Sequence, residues 1–174
     1  MKLNVVAGLV LGLLSVAILY VCHWTGWLRT PAGENGLPLA TGLLHILLLI
    51  WALRRHRNLA RPEGVPFARL FGAGLLISLV GGITVAFGNL LLTQVLDPGF
   101  FDWAMERARF HLAEQMATME GLTEADRQAR LAILDAATPE GFAVQRMVQT
   151  LILGAFLSLP VAALVRLRSL KSDF

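Results

Sequence analysis

Leu70–Leu96 reads LFGAGLLISLVGGITVAFGNLLLTQVL, an unbroken run without a formal charge. A helix rises about 1.5 Å per residue and about 20 residues cross a hydrocarbon core of about 30 Å, so this run is long enough to span a bilayer. It carries Gly72, Gly74, Gly81, Gly82 and Gly88. In water each would cost a helix roughly 1 kcal/mol. In lipid the same glycines let helix backbones approach closely, which offsets that loss. Gly74, Ser78 and Gly82 fall at i, i+4 and i+8 and form one smooth stripe. The stretch predicts a membrane helix that acts as a packing hub, with Asn89, Thr93 and Gln94 adding polarity near its far end.

Three more apolar segments flank it, at Leu3–Val21, Leu37–Leu53 and Phe142–Val165. The whole chain has 174 residues, of which 56% are hydrophobic and only 16% charged. A soluble domain of this size could not bury that much apolar surface. The expected class is all-α: one polytopic membrane domain over residues 1–174, with transmembrane helices at about 3–21, 37–53, 70–96 and 142–165. The second segment is short, and Trp51 and Arg54 would extend it at the interface. Gly8 and Gly12 give the first segment its own close-packing face. Trp24 and Trp27 mark its outer end, Thr30–Gly36 is predicted as a polar turn, and Arg61–Pro66 as a short inner loop. No small-x-small cleavage site follows residue 22, and Val21 before Cys22 does not fit a lipoprotein box, so a retained first helix is expected. A lone cysteine, Cys22, has no intrachain disulfide partner.

The charge pattern sets an orientation. Lys2, Arg54, Arg55, Arg57, Arg61, Arg69, Arg166, Arg168 and Lys171 fall on one side of a four-pass topology with Glu63 and Asp173, a net of +7. The remaining six arginines and ten acids leave −4 on the other side. Basic residues near segment ends favour the cytoplasm, so both termini are expected inside. The same clusters fit anionic headgroups, and nucleic acid is not an expected partner.

Residues 97–141 make the one sizeable extramembrane element, with an outer helical hairpin expected over about 98–137. Asp97-Pro98-Gly99 breaks the third segment, and Asp97 is expected to cap a new helix. Phe101, Met105, Ala108, Leu112, Met116 and Met119 then recur at near-helical spacing. Gly121 is expected to end this amphipathic helix. Thr123 followed by Asp126 forms a capping-box pattern for a second one running to about Ala137. Thr138-Pro139-Glu140 repeats the start signal ahead of the last segment. The stripe formed by Phe101, Met105, Leu112 and Met116 is a candidate partner face, unless it packs on the bundle or on its hairpin mate.

The arrangement resembles a bacterial membrane-protein family catalogued as domain of unknown function 4199. The likeness rests on Phe67-Ala68-Arg69-Leu70-Phe71-Gly72-Ala73-Gly74 opening the glycine-rich segment and on Asp97-Pro98-Gly99-Phe100. Gly121-Leu122-Thr123-Glu124 and Thr138-Pro139-Glu140-Gly141-Phe142 complete it. It spans essentially the whole chain. The resemblance implies four helices and an inner-membrane location, and it supplies no catalytic residues.

Candidate chemistry is sparse. His45 lies near the middle of the second segment with Thr41 one turn earlier, and an ionisable group at membrane depth is a functional candidate by default. The commoner outcome for a lone histidine is a neutral ring hydrogen-bonded between helices, with Thr41 as one partner. His23 and His45 lie at different depths, which disfavours a bis-histidine haem site. His111 and Glu114 make a single His-x-x-Glu, whereas di-iron bundles need two matched helices and further glutamates. The acids of the hairpin read as a solvated face. No Ser/His/Asp set, phosphate loop or CxxC appears, so no catalytic residue, cofactor or metal is expected. The expected role is structural, accessory or protein-interacting, through a homo-oligomer or a membrane partner. The alternative is a small oligomeric transporter or channel with a polar path near His45 and Asn89, lined further by Gln94; His45, Thr41 and Asn89 are the candidate intramembrane polar site.

Overall fold

The computed structural model describes residues 2–59, 65–119, 121 and 123–170. Among these, every regular element is helical: α1 (Lys2–Trp24), α2 (Pro31–Leu59), α3 (Phe67–Leu91), α4 (Gly99–Thr118), α5 (Glu124–Asp135) and α6 (Pro139–Leu170). Helices over Lys2–Trp24, Ala32–Leu59, Phe67–Leu96 and Pro139–Arg166 are long and apolar enough to cross a membrane. Much of the expected inner loop, with Arg61 and Glu63, lies outside the described residues, as do Glu120, Leu122, Lys171 and Asp173.

The second helix departs most from expectation. The predicted polar turn over Thr30–Gly36 is helical from Pro31 onward. Thr30 is the cap, its hydroxyl accepting from the Gly33 N–H at 3.1 Å, and proline is well suited to the first helical position. The reversal happens earlier, where Gly26 adopts φ +71° ahead of a single 3-10 turn at Trp27–Arg29. Gly33 and Gly36 are small because the turn packs on them. A Cβ on Gly33 would meet the Trp27 carbonyl, and one on Gly36 would come 2.7 Å from the Trp27 ring. The helix therefore has 29 residues and no shortfall in length.

At the end of α3 the ladder widens into a π turn over Leu92–Leu96, where the Asp97 N–H reaches the Leu92 carbonyl at 2.8 Å. Asp97 leaves the helical region, with φ −150° and ψ 87°, so the helix stops there. Pro98 has helical angles, and α4 starts with it as the N-cap and with no side-chain cap on that residue. Gly121, at φ +81°, follows the end of α4. The capping box of α5 forms as its residues indicate, with Thr123 and Asp126 bonding reciprocally. Thr138 caps α6 by accepting from Gly141 N–H at 3.1 Å.

The chain divides into two units, Met1–Gly88 with Gln145–Phe174, and Asn89–Val144. In the first, the core joins Ala7 and Leu11 of α1, Leu49, Ala52 and Leu53 of α2, Leu70, Ala73 and Ile77 of α3, and Val161, Ala162 and Val165 of α6. Close approaches set the helix directions. Gly8 meets Val80, Gly12 meets Thr84 and Gly88 meets Val16, so α1 and α3 run parallel. Gly74 meets Ser158 and Gly82 meets Met147, so α6 runs antiparallel to α3. In the second unit Phe101 and Phe142 pack edge to face at 6.2 Å, and Arg109 joins α4 to α5 through Asp135 at 2.7 Å.

Candidate functional site

The deepest polar group in the first unit is a three-helix seam of His45, Ser78 and Ser158, all buried. His45 Nε2 lies 2.9 Å from Ser78 Oγ. Ser78 Oγ also donates to the Gly74 carbonyl one turn back at 3.0 Å. With the Ser78 proton on the Gly74 carbonyl the imidazole donates from Nε2, and in the other tautomer it accepts; in both the bond ties α2 to α3.

Around this bond, α3 and α6 interlock by a reciprocal exchange of glycine and serine. Ser158 of α6 occupies the space that a side chain at Gly74 would need, and Ser78 of α3 fills the space opposite Gly154. A Cβ on Gly154 would also fall 3.0 Å from His45 Nε2. Gly-x-x-x-Ser therefore recurs on both helices, and antiparallel packing places each serine on the other helix's glycine. The Ser158 hydroxyl is buried without a hydrogen-bond partner. That is an expensive state for a polar group.

The other sequence candidates fall out as follows. Thr41, the partner expected for His45, instead bonds its own helix, donating to the Leu37 carbonyl at 2.9 Å and lying 3.1 Å from that of Pro38. The imidazole finds its partner across the seam. Asn89 is buried, its carbonyl accepting from Thr93 Oγ1 at 2.9 Å, and it belongs to the second unit, whereas His45 belongs to the first. Gly8 and Gly12 abut α3: a Cβ on Gly8 would lie 2.6 Å from Val80 Cβ, and one on Gly12 2.8 Å from the Gly81 carbonyl. A Cβ on Gly82 would lie 3.0 Å from the Met147 carbonyl of α6.

Of the candidate partner stripe, Met105 and Met116 are buried and Phe101 and Leu112 half-buried, so the stripe as a whole is not an open face. The exposed apolar side chains of α4 and α5 are instead Phe110 and Ile133. Phe110 stacks under the Arg107 guanidinium at 5.4 Å, whereas Ile133 is 76% exposed on a helix with no buried residue. His111 Nδ1 and Glu114 Oε2 stand 3.5 Å apart on the exposed side of α4.

The pairing of Gly154 and Ser158 with the α3 stripe is not among the sequence expectations. The signal was present: the four-residue glycine-to-serine spacing is the same on both helices, and it points to a mate once two such stripes are seen. Arg57 was counted only as a charge. Its Nη1 donates to the Val165 carbonyl at 3.2 Å and fastens the end of α2 to α6.

The family model described as "Protein of unknown function (DUF4199)" matches residues 7–166, which takes in most of α1, all of α2 to α5 and most of α6. No curated protein and no solved structure matches the chain.

Proposed function

The chain belongs to the DUF4199 family, and from that premise we propose that it is a non-catalytic structural or accessory component of a bacterial inner membrane. In this reading the four long apolar helices span the bilayer with both termini in the cytoplasm, as their basic ends favour. The polar groups at mid-helix are committed to packing, which argues against a path for solutes past His45. Partner binding falls to the extramembrane helices. The observation that carries this is α5, a twelve-residue helix with no buried residue and with Ile133 76% exposed. A helix this short is marginal in isolation and gains by packing on something else.

Extraction from native membranes into a mild detergent, followed by light scattering on a sizing column, tests the proposal. A discrete complex above the monomer mass is expected. A strictly monomeric protein, extracted without partners, overturns it.

A further inference from the structure

We propose that the groove between the C-terminal halves of α2 and α6 holds one anionic phospholipid, its phosphate on Arg54 and Arg57 and its acyl chain along α6. The groove has a volume of about 390 Å³ and is lined by Ile50, Arg54, Arg57, Val161, Leu164 and Val165. Two cations and four aliphatic side chains form an amphipathic lining, which neither a free inorganic anion nor a neutral alkane would match as a whole.

Arg57 is held ready for such a ligand. Its Nη1 donates to the Val165 carbonyl at 3.2 Å, and its Nε and Nη2 point at Asn58 Oδ1 at 3.4 and 3.2 Å. Those bonds occupy three of the five guanidinium N–H groups and leave two for a phosphate. Because the side chain is already fixed, little rotamer freedom remains to be lost on binding. Arg54 lies one helical turn earlier and is exposed. Ile50 lies a further turn along the same face, and on α6 Val161, Leu164 and Val165 recur at helical spacing, so the apolar part continues away from the two charges.

The surroundings favour an anion as well. The helix directions bring the N-termini of α1 and α3 to the same end as the C-termini of α2 and α6. Lys2, Arg69 and Arg166 therefore belong to that end too. Basic pockets between spanning helices at such an end are suited to lipid headgroups.

The site rests on the reading of these helices as membrane-spanning, and the test separates the two. Purified full-length protein in mild detergent is offered equal amounts of phosphatidylglycerol and phosphatidylcholine and weighed by native mass spectrometry. Wild type is expected to keep one phosphatidylglycerol in preference to phosphatidylcholine. Arg54→Gln and Arg57→Gln should each lower that retention about five-fold, while Arg55→Gln, outside the groove, leaves it unchanged. Arg57→Gln also loses the bond to Val165, so Arg54→Gln, which removes only an exposed cation, decides the matter. Equal retention of the two lipids, or no effect of Arg54→Gln, overturns the site. So does full displacement by millimolar inorganic phosphate, which would indicate an anion site indifferent to the acyl chain. A helical protein that stays in solution without any detergent would instead overturn the membrane reading.

Discussion

Replacing Gly154 with alanine probes the seam at its tightest point. The new methyl would enter the space of Ser78 Oγ and Cβ and stand 3.0 Å from His45 Nε2. Ser78 has no room to retreat, because it is fully buried against α3's own backbone and bonded to the Gly74 carbonyl. Overpacking of this kind costs typically about 1–3 kcal/mol. Displacing the His45–Ser78 bond adds about 0.6 kcal/mol, the average for interhelical bonds in membranes. Alanine's better helix propensity returns up to about 1 kcal/mol. The balance is a destabilisation of about 2 kcal/mol, or a melting point lower by roughly 4–8 °C. Thermal unfolding in detergent, followed by circular dichroism, reads it. Ser78→Gly in the same chain should recover at least half the loss, since it removes the atoms that clash. A wild-type melting point for Gly154→Ala, or simple additivity in the double variant, would refute the packing argument.

Ser158→Ala should melt at or above wild type, because it deletes a buried hydroxyl that has no partner. His45→Leu alone should destabilise, whereas His45→Leu with Ser78→Ala should lie closer to wild type, since an apolar pair leaves no polar atom unmatched; liposome flux assays on both should match wild type. Thr123→Ala should lower hydrogen-exchange protection of α5, consistent with the loss of an N-cap worth about 1 kcal/mol. The bonds from Thr123 hold the Asp126 carboxyl below its ordinary value. A depressed carboxylate stabilises the folded helix above its unfolded pKa and loses that effect as pH falls through the folded one. Protection of α5 should therefore be steady from pH 7 to 5 and decline below about pH 4 in wild type, with a weaker decline in Asp126→Asn. Arg109→Ala should shift stability by less than about 1 kcal/mol, because the ion pair with Asp135 is exposed.

What the residues disclosed was mostly local. The Thr123–Asp126 box could be seen because both partners lie within one turn. The Gly74–Ser78–Gly82 stripe could be seen because four-residue spacing maps onto one helix face. Gly33 and Gly36 misled for a physical reason: in sequence a glycine that permits a turn looks the same as one that permits a close contact. Only the folded chain places Trp27 against them. Thr30 ahead of Pro31 was the better signal for the start of α2. The partner of His45 was illegible, since Ser78 is 33 positions away and no local spacing points to it. The stripe on α4 is half to fully buried, and periodicity marks a buried side without saying what buries it.

The proposal that the protein works through contacts made by α4 and α5 is tested most directly by a photo-crosslinking residue in place of Ile133. Irradiation of native membranes should yield one discrete adduct at Ile133, and none from the same residue at Glu106 on the exposed side of α4. Adducts of equal yield and variety at both positions, or none at either, would contradict the account.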